Sequence, residues 1–234
     1  SVSLDILKII SDIPNISEVS VMMGFVTNEI HKKLIDKKIT TSLHLNLTDN
    51  LYLPNISKKH LTFMKLLFLP KKKREFVFRE IDNQISQYKE IYNLEKININ
   101  GHEHIHAIPW IYNYLYENAN IKNIRYSSEK FFFVFNKYIS FILIRNYIAF
   151  FILKLINLFN KQKNNDLFFG VIYSNFMCTK VYNKIIYNFS DKNIKILFHP
   201  GQAKKDEKEY FSNRKYFKYF TSIHREKERK ELYE

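Results

Sequence analysis

The chain has 234 residues, 46% of them hydrophobic, which is the composition of a globular protein with a full core. Its single cysteine, Cys178, excludes an internal disulfide framework and a thiolate zinc cluster, and it fits a reducing, cytoplasmic location. The formal net charge is +14, but Lys, Asn, Ile, Phe and Tyr are over-used together and the charge is spread along the chain, so we do not expect nucleic acid to be the partner.

The first part of the chain predicts helices and strands in alternation. Residues 1–12 have the apolar spacing of a short amphipathic helix, and Ser17–Val26 has the pattern of a buried strand, after which Thr27 can cap a helix. The next predicted strand, Ile39–Thr48, places leucines on one face and polar side chains, including His44, on the other. A lone histidine on a strand is more often structural than a ligand.

A second strand of the same design follows a long loop over residues 49–70 and a helix over residues 71–91. In an extended strand its polar side chains share one face, namely those of Asn98, Asn100, His102, His104 and His106. Imidazole is the commonest metal ligand and the usual proton carrier near neutral pH. The strand is therefore a candidate metal or catalytic site, with a water-exposed polar strand end as the alternative.

The middle of the chain contains its most apolar stretch. A helix is predicted over residues 110–119 and a short strand over residues 121–126, in which Arg125 lies near the end. Residues 131–160 then predict one or two long helices packed on the body of the protein. Charged and Asn residues interrupt this stretch too often for a membrane span, although contact with a membrane surface is compatible with it.

The last part continues the alternation. Strands are predicted over residues 167–174 and 194–198, a helix lies between them, and His199 follows the second strand. Residues 206–234 predict a charged helical end. Strands that alternate with helices favour a largely parallel sheet or barrel, in which chemistry gathers at the carboxyl ends of the strands. We therefore expect His44, His102 and His199 to converge at one mouth of an α/β domain.

Several motifs resemble a known family. Ser42–Thr48 resembles the G-L-H-L-x-L-T strand of the YdjC-like carbohydrate deacetylases, and Asn100–His106, with Pro109 following, resembles their D-G-H-x-H-x-H…P. Further matches occur in family order along nearly the whole chain: Glu80 with Gln84, Arg125 with Glu129, Asp166–Gly170, His199–Gly201, and Arg225 with Glu228.

The resemblance implies a distorted, TIM-barrel-like (β/α) fold related to the polysaccharide deacetylases, formed by residues 1–234 as one domain. It also implies a divalent metal ion, Mg or Zn, held by an Asp and two His, and removal of an acetyl group from an N-acetylated carbohydrate. The histidine ligands would be His44 and His102. His199 is the candidate to protonate the leaving amine or to stabilise the oxyanion, and three residues are candidates to contact substrate: Asn100, His104 and Arg125. For Arg125, a buried ion pair with Glu129 is the alternative.

Two departures from the family pattern weaken the expected activity. The family's first strand ends in A-D-D-F-G, and Ser1–Ser3 resembles the residues that follow it, so we expect the first strand and its Asp-Asp pair to be missing here. The family's D-G-H aspartate is Asn100, which cannot act as a base or neutralise a metal. The expectation is a metal-dependent carbohydrate deacetylase that binds metal weakly. A truncated or inactive glycan-binding relative is the alternative, and a homodimer is compatible with either.

Overall fold

The computed structural model describes residues 16–24, 26–48, 61–127, 129–134, 141–161, 166–200 and 223–232. The strands are β1 Glu18–Val21, β2 Thr40–Leu45, β3 Ile97–Gly101, β4 Ile121–Ile124, β5 Leu167–Phe169 and β6 Ile194–Ile196. The helices are α1 Asn28–Asp36, α2 Phe63–Leu67, α3 Lys71–Tyr92, α4 Pro109–Glu117, α5 Phe141–Ile156, α6 Thr179–Phe189 and α7 Ile223–Glu231. Short 3-10 segments cover His102–Ala107 and Asn157–Phe159.

The chain divides into two compact units. The first, Ile16–Tyr126 with Ile156–Lys163, contains a parallel sheet in the order β1-β2-β3-β4 and is called the β1–β4 unit below. The second includes Ser127–Leu155 and Asn164–Glu234, contains the parallel pair β5-β6, and is called the β5–β6 unit. The parallel strands and helices confirm the predicted α/β class, whereas the barrel and the single-domain organisation stay predictions.

The sheet of the β1–β4 unit is buried by helices that follow its strands. Alternate apolar residues of β2 and β3 are almost completely buried, among them Leu43 and Ile99, which are register partners. Helix α3 presents apolar residues at helical spacing, ending in Tyr88, whose hydroxyl donates to Thr41 Oγ1 at 2.6 Å. Full burial of each such side chain stabilises the fold by roughly 1.5–3 kcal/mol. This packing holds β2 and β3 in their register, so that the two strands end next to each other.

An aromatic core holds the β5–β6 unit. Phe132 packs against Phe169 of β5, and both rings lie close to Phe189 of α6. The carboxyl group of Glu129 is buried at the end of β5, where Oε2 accepts hydrogen bonds from the backbone amides of Val171 and Ile172 at 2.9 and 3.1 Å.

The helix predicted over residues 131–160 is shorter in the structure. Residues 131–134 are not helical, α5 begins at Phe141, and residues 135–140 lie outside the described part. With the 3-10 turn after it, Phe141–Phe159 is apolar and long enough to cross a membrane by length and composition alone, a test that core helices also pass. Its predicted non-spanning arrangement stays a prediction. The helices predicted over residues 1–12 and 206–222 lie outside the described residues.

Candidate functional site

The candidate site begins where β2 and β3 end side by side. His44 and Asn100 are register partners on these strands, and Asn100 Oδ1 accepts a hydrogen bond from His44 Nδ1. The Asn100 amide nitrogen donates to Ser20 Oγ at 2.9 Å and to Ser42 Oγ at 2.8 Å. All of the polar atoms of this side chain are therefore used, although Asn100 is only 1% exposed.

The bond to Asn100 decides which tautomer His44 adopts. An amide oxygen only accepts, so Nδ1 carries the proton and Nε2 keeps its lone pair. The pKa of His44 is lowered to about 3, mainly by burial and to a smaller extent by the positive charge of Arg125 and by the nearby His102, whereas the Asn100 bond opposes the shift. At neutral pH the ring is therefore uncharged, which is the form that binds a metal.

Beyond β3 the chain does not continue as a strand, so the predicted shared face of His102, His104 and His106 is wrong. The strand ends at Gly101 and a 3-10 segment follows, in which Glu103 and His104 have left-handed φ values of 50° and 58°. A Cβ on Gly101 would lie 2.8 Å from Ile105 Cγ1 and 3.0 Å from the His106 amide nitrogen. Glycine is therefore required because the turn folds directly back on it.

The three imidazoles of this turn have different surroundings. The His102 ring lies edge-on to His44, with 5.6 Å between the ring centroids. The pKa of His104 is lowered to about 3, mainly by burial and to a smaller extent by the charges of Arg125, His44 and His102. His106 is completely buried and its Nε2 donates to the Arg125 carbonyl oxygen at 2.9 Å, which ties the turn to the end of β4.

Arg125 follows β4 and lies beside the same site. Its backbone amide donates to Ile99 O at 2.9 Å, which continues the pairing of β4 with β3. Burial lowers the pKa of the guanidinium to about 10, so it stays charged at neutral pH, and its charge acts on the neighbouring histidines. The Glu129 carboxylate, the alternative ion-pair partner predicted for Arg125, accepts hydrogen bonds from the backbone after β5, and that ion pair stays a prediction.

A buried glutamine fixes the end of β2. Gln84 Oε1 accepts from the Asn46 amide at 3.1 Å, and Gln84 Nε2 donates to Asn46 O at 2.8 Å and to Glu80 Oε1 at 2.7 Å. The side chain thus satisfies both backbone groups of Asn46 in the manner of a neighbouring strand. This pairing explains why Glu80 and Gln84 occur four residues apart on α3, the spacing that brings two helical side chains together.

His199 belongs to the β5–β6 unit, three residues after β6. Its backbone amide donates to Glu228 Oε2 at 2.6 Å, and Glu228 Oε1 accepts from the Met177 amide at 3.3 Å. Burial raises the pKa of Glu228 to about 6, although these bonds and Arg225 oppose the shift. Glu228 therefore anchors the segment that carries His199, whose predicted convergence with His44 and His102 stays a prediction.

A family model for YdjC-like protein matches residues 15–233. The chain belongs to the YdjC-like family. This confirms the family to which the motifs pointed, a family related to the carbohydrate deacetylases. A comparison with curated proteins gives no match.

The YdjC-like motifs supply two residues with the chemistry of metal ligands. Two rings that ligate one ion through nitrogens at about 2.1 Å have centroids roughly 5 Å apart, close to the 5.6 Å between His44 and His102. In the described part of the chain, however, no group of three His, Cys, Asp or Glu side chains is arranged to hold a metal ion. The described residues thus offer two imidazoles at a spacing compatible with shared ligation, with no third His, Cys, Asp or Glu side chain grouped with them.

Sequence reasoning missed the two serines of this YdjC-like site. Ser20 and Ser42 are register partners on β1 and β2, and together they hold the amide group of Asn100. The signal was present, since Ser42 shares the polar face of β2 with His44. Only the pairing of β1 with β2 shows that Ser20 reaches the same side chain.

Proposed function

We propose that this YdjC-like protein is a metal-dependent hydrolase that removes an acetyl group from an N-acetylated sugar or oligosaccharide. The observation that supports this most directly is the His44–His102 pair, with His44 held by Asn100 in the tautomer that leaves Nε2 available. His44 and His102 would hold the ion. The bound ion would supply an activated water and polarise the acetyl carbonyl.

Side chains of the protein would carry out the proton transfer and hold the substrate. Amide hydrolysis needs an acid for the leaving amine, and His199 is the residue proposed for this proton transfer. Arg125 stays charged at neutral pH, and its guanidinium can donate hydrogen bonds to hydroxyl or carbonyl oxygens of the substrate. His104 and Asn100 are the other proposed contacts. Because the Asn100 amide is already bonded to His44 and two serines, we expect its contribution to be mainly positional.

A second candidate is a relative that binds glycan without hydrolysing it. Two observations favour it: Asn100 replaces the family's carboxylate, and the described residues offer two metal ligands and no third. A carboxylate contributes charge as well as an oxygen, so a site without one binds a divalent ion more weakly. Metal content and acetate release together separate this candidate from the hydrolase.

The test measures acetate release from N-acetylated chito-oligosaccharides with added Mg²⁺ or Zn²⁺, and metal binding by calorimetry. The proposal expects His44→Ala and His102→Ala each to lower metal affinity by about 100-fold or more and to abolish release. His224→Ala is the matched control, since this histidine packs on the Phe176 ring and has no part in the proposed site. Binding of metal and glycan without acetate release would favour the glycan-binding relative. Metal binding unchanged in His44→Ala and His102→Ala would contradict the metal-dependent hydrolase.

A further inference from the structure

Helix α5 exposes a line of large apolar side chains. The exposed fractions are 83% for Phe141, 48% for Ile144, 55% for Ile148, 53% for Phe151 and 62% for Leu155. Alternating steps of three and four residues place all five on one face of the helix, here called the apolar stripe. Contiguous apolar surface of this kind marks an interaction site more often than isolated exposed residues do.

The opposite face of α5 is fixed to the β5–β6 unit. Leu143, Phe150 and Leu153 are buried there, each no more than 5% exposed. Asn146 is also buried, and its amide donates to Ile172 O at 3.1 Å and to Ser174 O at 2.9 Å. The helix therefore lies along its unit, held by apolar packing and two hydrogen bonds, and it presents the apolar stripe outward.

The charges around the stripe have one sign. From Lys130 to Lys163 the sequence contains six Lys or Arg residues and no Asp or Glu. On α5 itself Arg145 and Lys154 are exposed, and at about 3.6 residues per turn they fall on the two margins of the stripe. Long basic side chains in this position can keep their charge in water while their stems cover apolar surface.

Either a second copy of the chain or a lipid surface could cover the apolar stripe, and the charge pattern distinguishes between them. In a pair of α5 helices from two copies, the margins would bring cations against cations with no carboxylate to pair them, which opposes association. Beside an anionic lipid surface, the same cations are attracted to the headgroups. Because the opposite face of α5 packs on the β5–β6 unit, only the apolar stripe can insert, and an apolar face of Phe, Leu and Ile with basic margins suits a helix that lies in the plane of a membrane interface.

We propose that α5 docks this protein on an anionic membrane surface, with the apolar stripe inserted among the headgroups and Arg145 and Lys154 at its margins. The helix lies in the plane of the interface and does not cross the bilayer. The apolar stripe belongs to the β5–β6 unit and the His44–His102 pair to the β1–β4 unit, so the proposal does not depend on catalysis.

The experiment is vesicle flotation with the full 234-residue chain, using phosphatidylcholine alone and phosphatidylcholine mixed with phosphatidylglycerol. The wild-type protein is expected to float with the anionic vesicles only, and added salt is expected to release it. Phe151→Glu should weaken binding by about tenfold or more, because a charge replaces an inserted ring. Phe68→Glu is the matched control, since Phe68 is 74% exposed but lies outside α5, and it should bind as the wild type does.

A separate experiment tests the contribution of the basic residues at the margins of the apolar stripe. Arg145→Gln and Lys154→Gln should each lower affinity for the anionic vesicles by about fivefold and reduce the salt dependence. Circular dichroism melting of every variant identifies any loss of folding, and for a variant that fails to fold Ile148→Gln replaces it.

Three results would overturn the proposal. The first is a folded wild-type protein that does not bind anionic vesicles at low salt. The second is a concentration-dependent dimer that Phe151→Glu dissociates, which would show that a second copy covers the stripe. The third is binding that resists alkaline carbonate washing, which would show a spanning helix.

Discussion

Asn100 Oδ1 accepts a hydrogen bond from His44 Nδ1 across the β2–β3 pair, and the Asn100 amide is in turn held by the hydroxyl groups of Ser20 and Ser42. One buried side chain thus connects three neighbouring strands and sets the tautomer of a proposed metal ligand. Groups that orient a ligating histidine in this way affect metal affinity strongly, although they do not touch the metal.

The main expected effect of a substitution at Asn100 is a change in the tautomer of His44. Asn100→Ala removes the acceptor, so both tautomers should appear in long-range ¹H–¹⁵N spectra and metal affinity should fall by about 10-fold to 100-fold. Asn100→Asp keeps the acceptor, can accept from both serines, and adds a negative charge, so it should keep the Nδ1–H tautomer and raise metal affinity. A single Nδ1–H tautomer in Asn100→Ala would contradict this account.

Gln84 is expected to contribute to stability through its two bonds to Asn46. Gln84→Ala leaves both backbone groups of Asn46 buried without these partners, so the free energy of unfolding should fall by about 1–3 kcal/mol for each group that stays unsatisfied. Urea unfolding measures the change. Gln87→Ala is the matched control on the same helix, because Gln87 is exposed and bonds only to Asn83, and its effect should stay within about 0.5 kcal/mol. Equal effects of the two variants would show that the Asn46 bonds are unimportant.

Gly101 is expected to tolerate no side chain. The added methyl group of Gly101→Ala meets Ile105, which is completely buried, and the His106 backbone, so the turn must shift. We expect a loss of about 1–3 kcal/mol in unfolding free energy, together with altered NMR signals from His102 and His106. An unchanged urea midpoint with unchanged histidine signals would show that the turn can move at no cost.

Glu129 is expected to make the stability depend on pH. Burial raises its pKa from 4.5 to about 7, although the bonds from Val171 and Ile172 oppose the shift. Between these pH values the folded protein binds more protons than the unfolded chain, so a rise in pH favours unfolding. The stability of the wild type relative to Glu129→Gln should fall across this window by no more than about 3 kcal/mol. Parallel pH profiles of the two proteins in thermal unfolding would contradict the shift.

His199 is expected to act on turnover and not on metal binding. Replacing a positioned proton donor typically costs about 100-fold or more in rate, so His199→Ala should lower acetate release by that amount while calorimetry finds the metal affinity unchanged. His102→Ala serves as the contrasting variant, since it should lose the metal. Equal loss of metal affinity in both variants would show that His199 belongs to the metal site instead of donating a proton.

Much of the fold follows from local patterns in the sequence. The helical spacing in residues 71–91 predicted α3, which spans Lys71–Tyr92. Apolar residues three or four positions apart form one face of a helix, and that face is buried whatever the wider topology is. Alternation likewise predicted β2 and β3. The pattern failed after Gly101, where alternating histidines suggested an extended strand and the chain turns through two left-handed residues. Local alternation cannot detect such a turn, because it is stabilised by Ile105 and His106 packing back on Gly101.

The sequence by itself determined the α/β class, the YdjC-like family, and the histidines and Asn100 as the residues to examine, since each is carried by residue types at fixed spacings. Only the tertiary structure decided that Ser20, Ser42 and Asn100 form one network with His44, and that His106 Nε2 bonds to the backbone of Arg125. These contacts join residues from different strands. They depend on register and burial, which the order of residues along one strand does not contain.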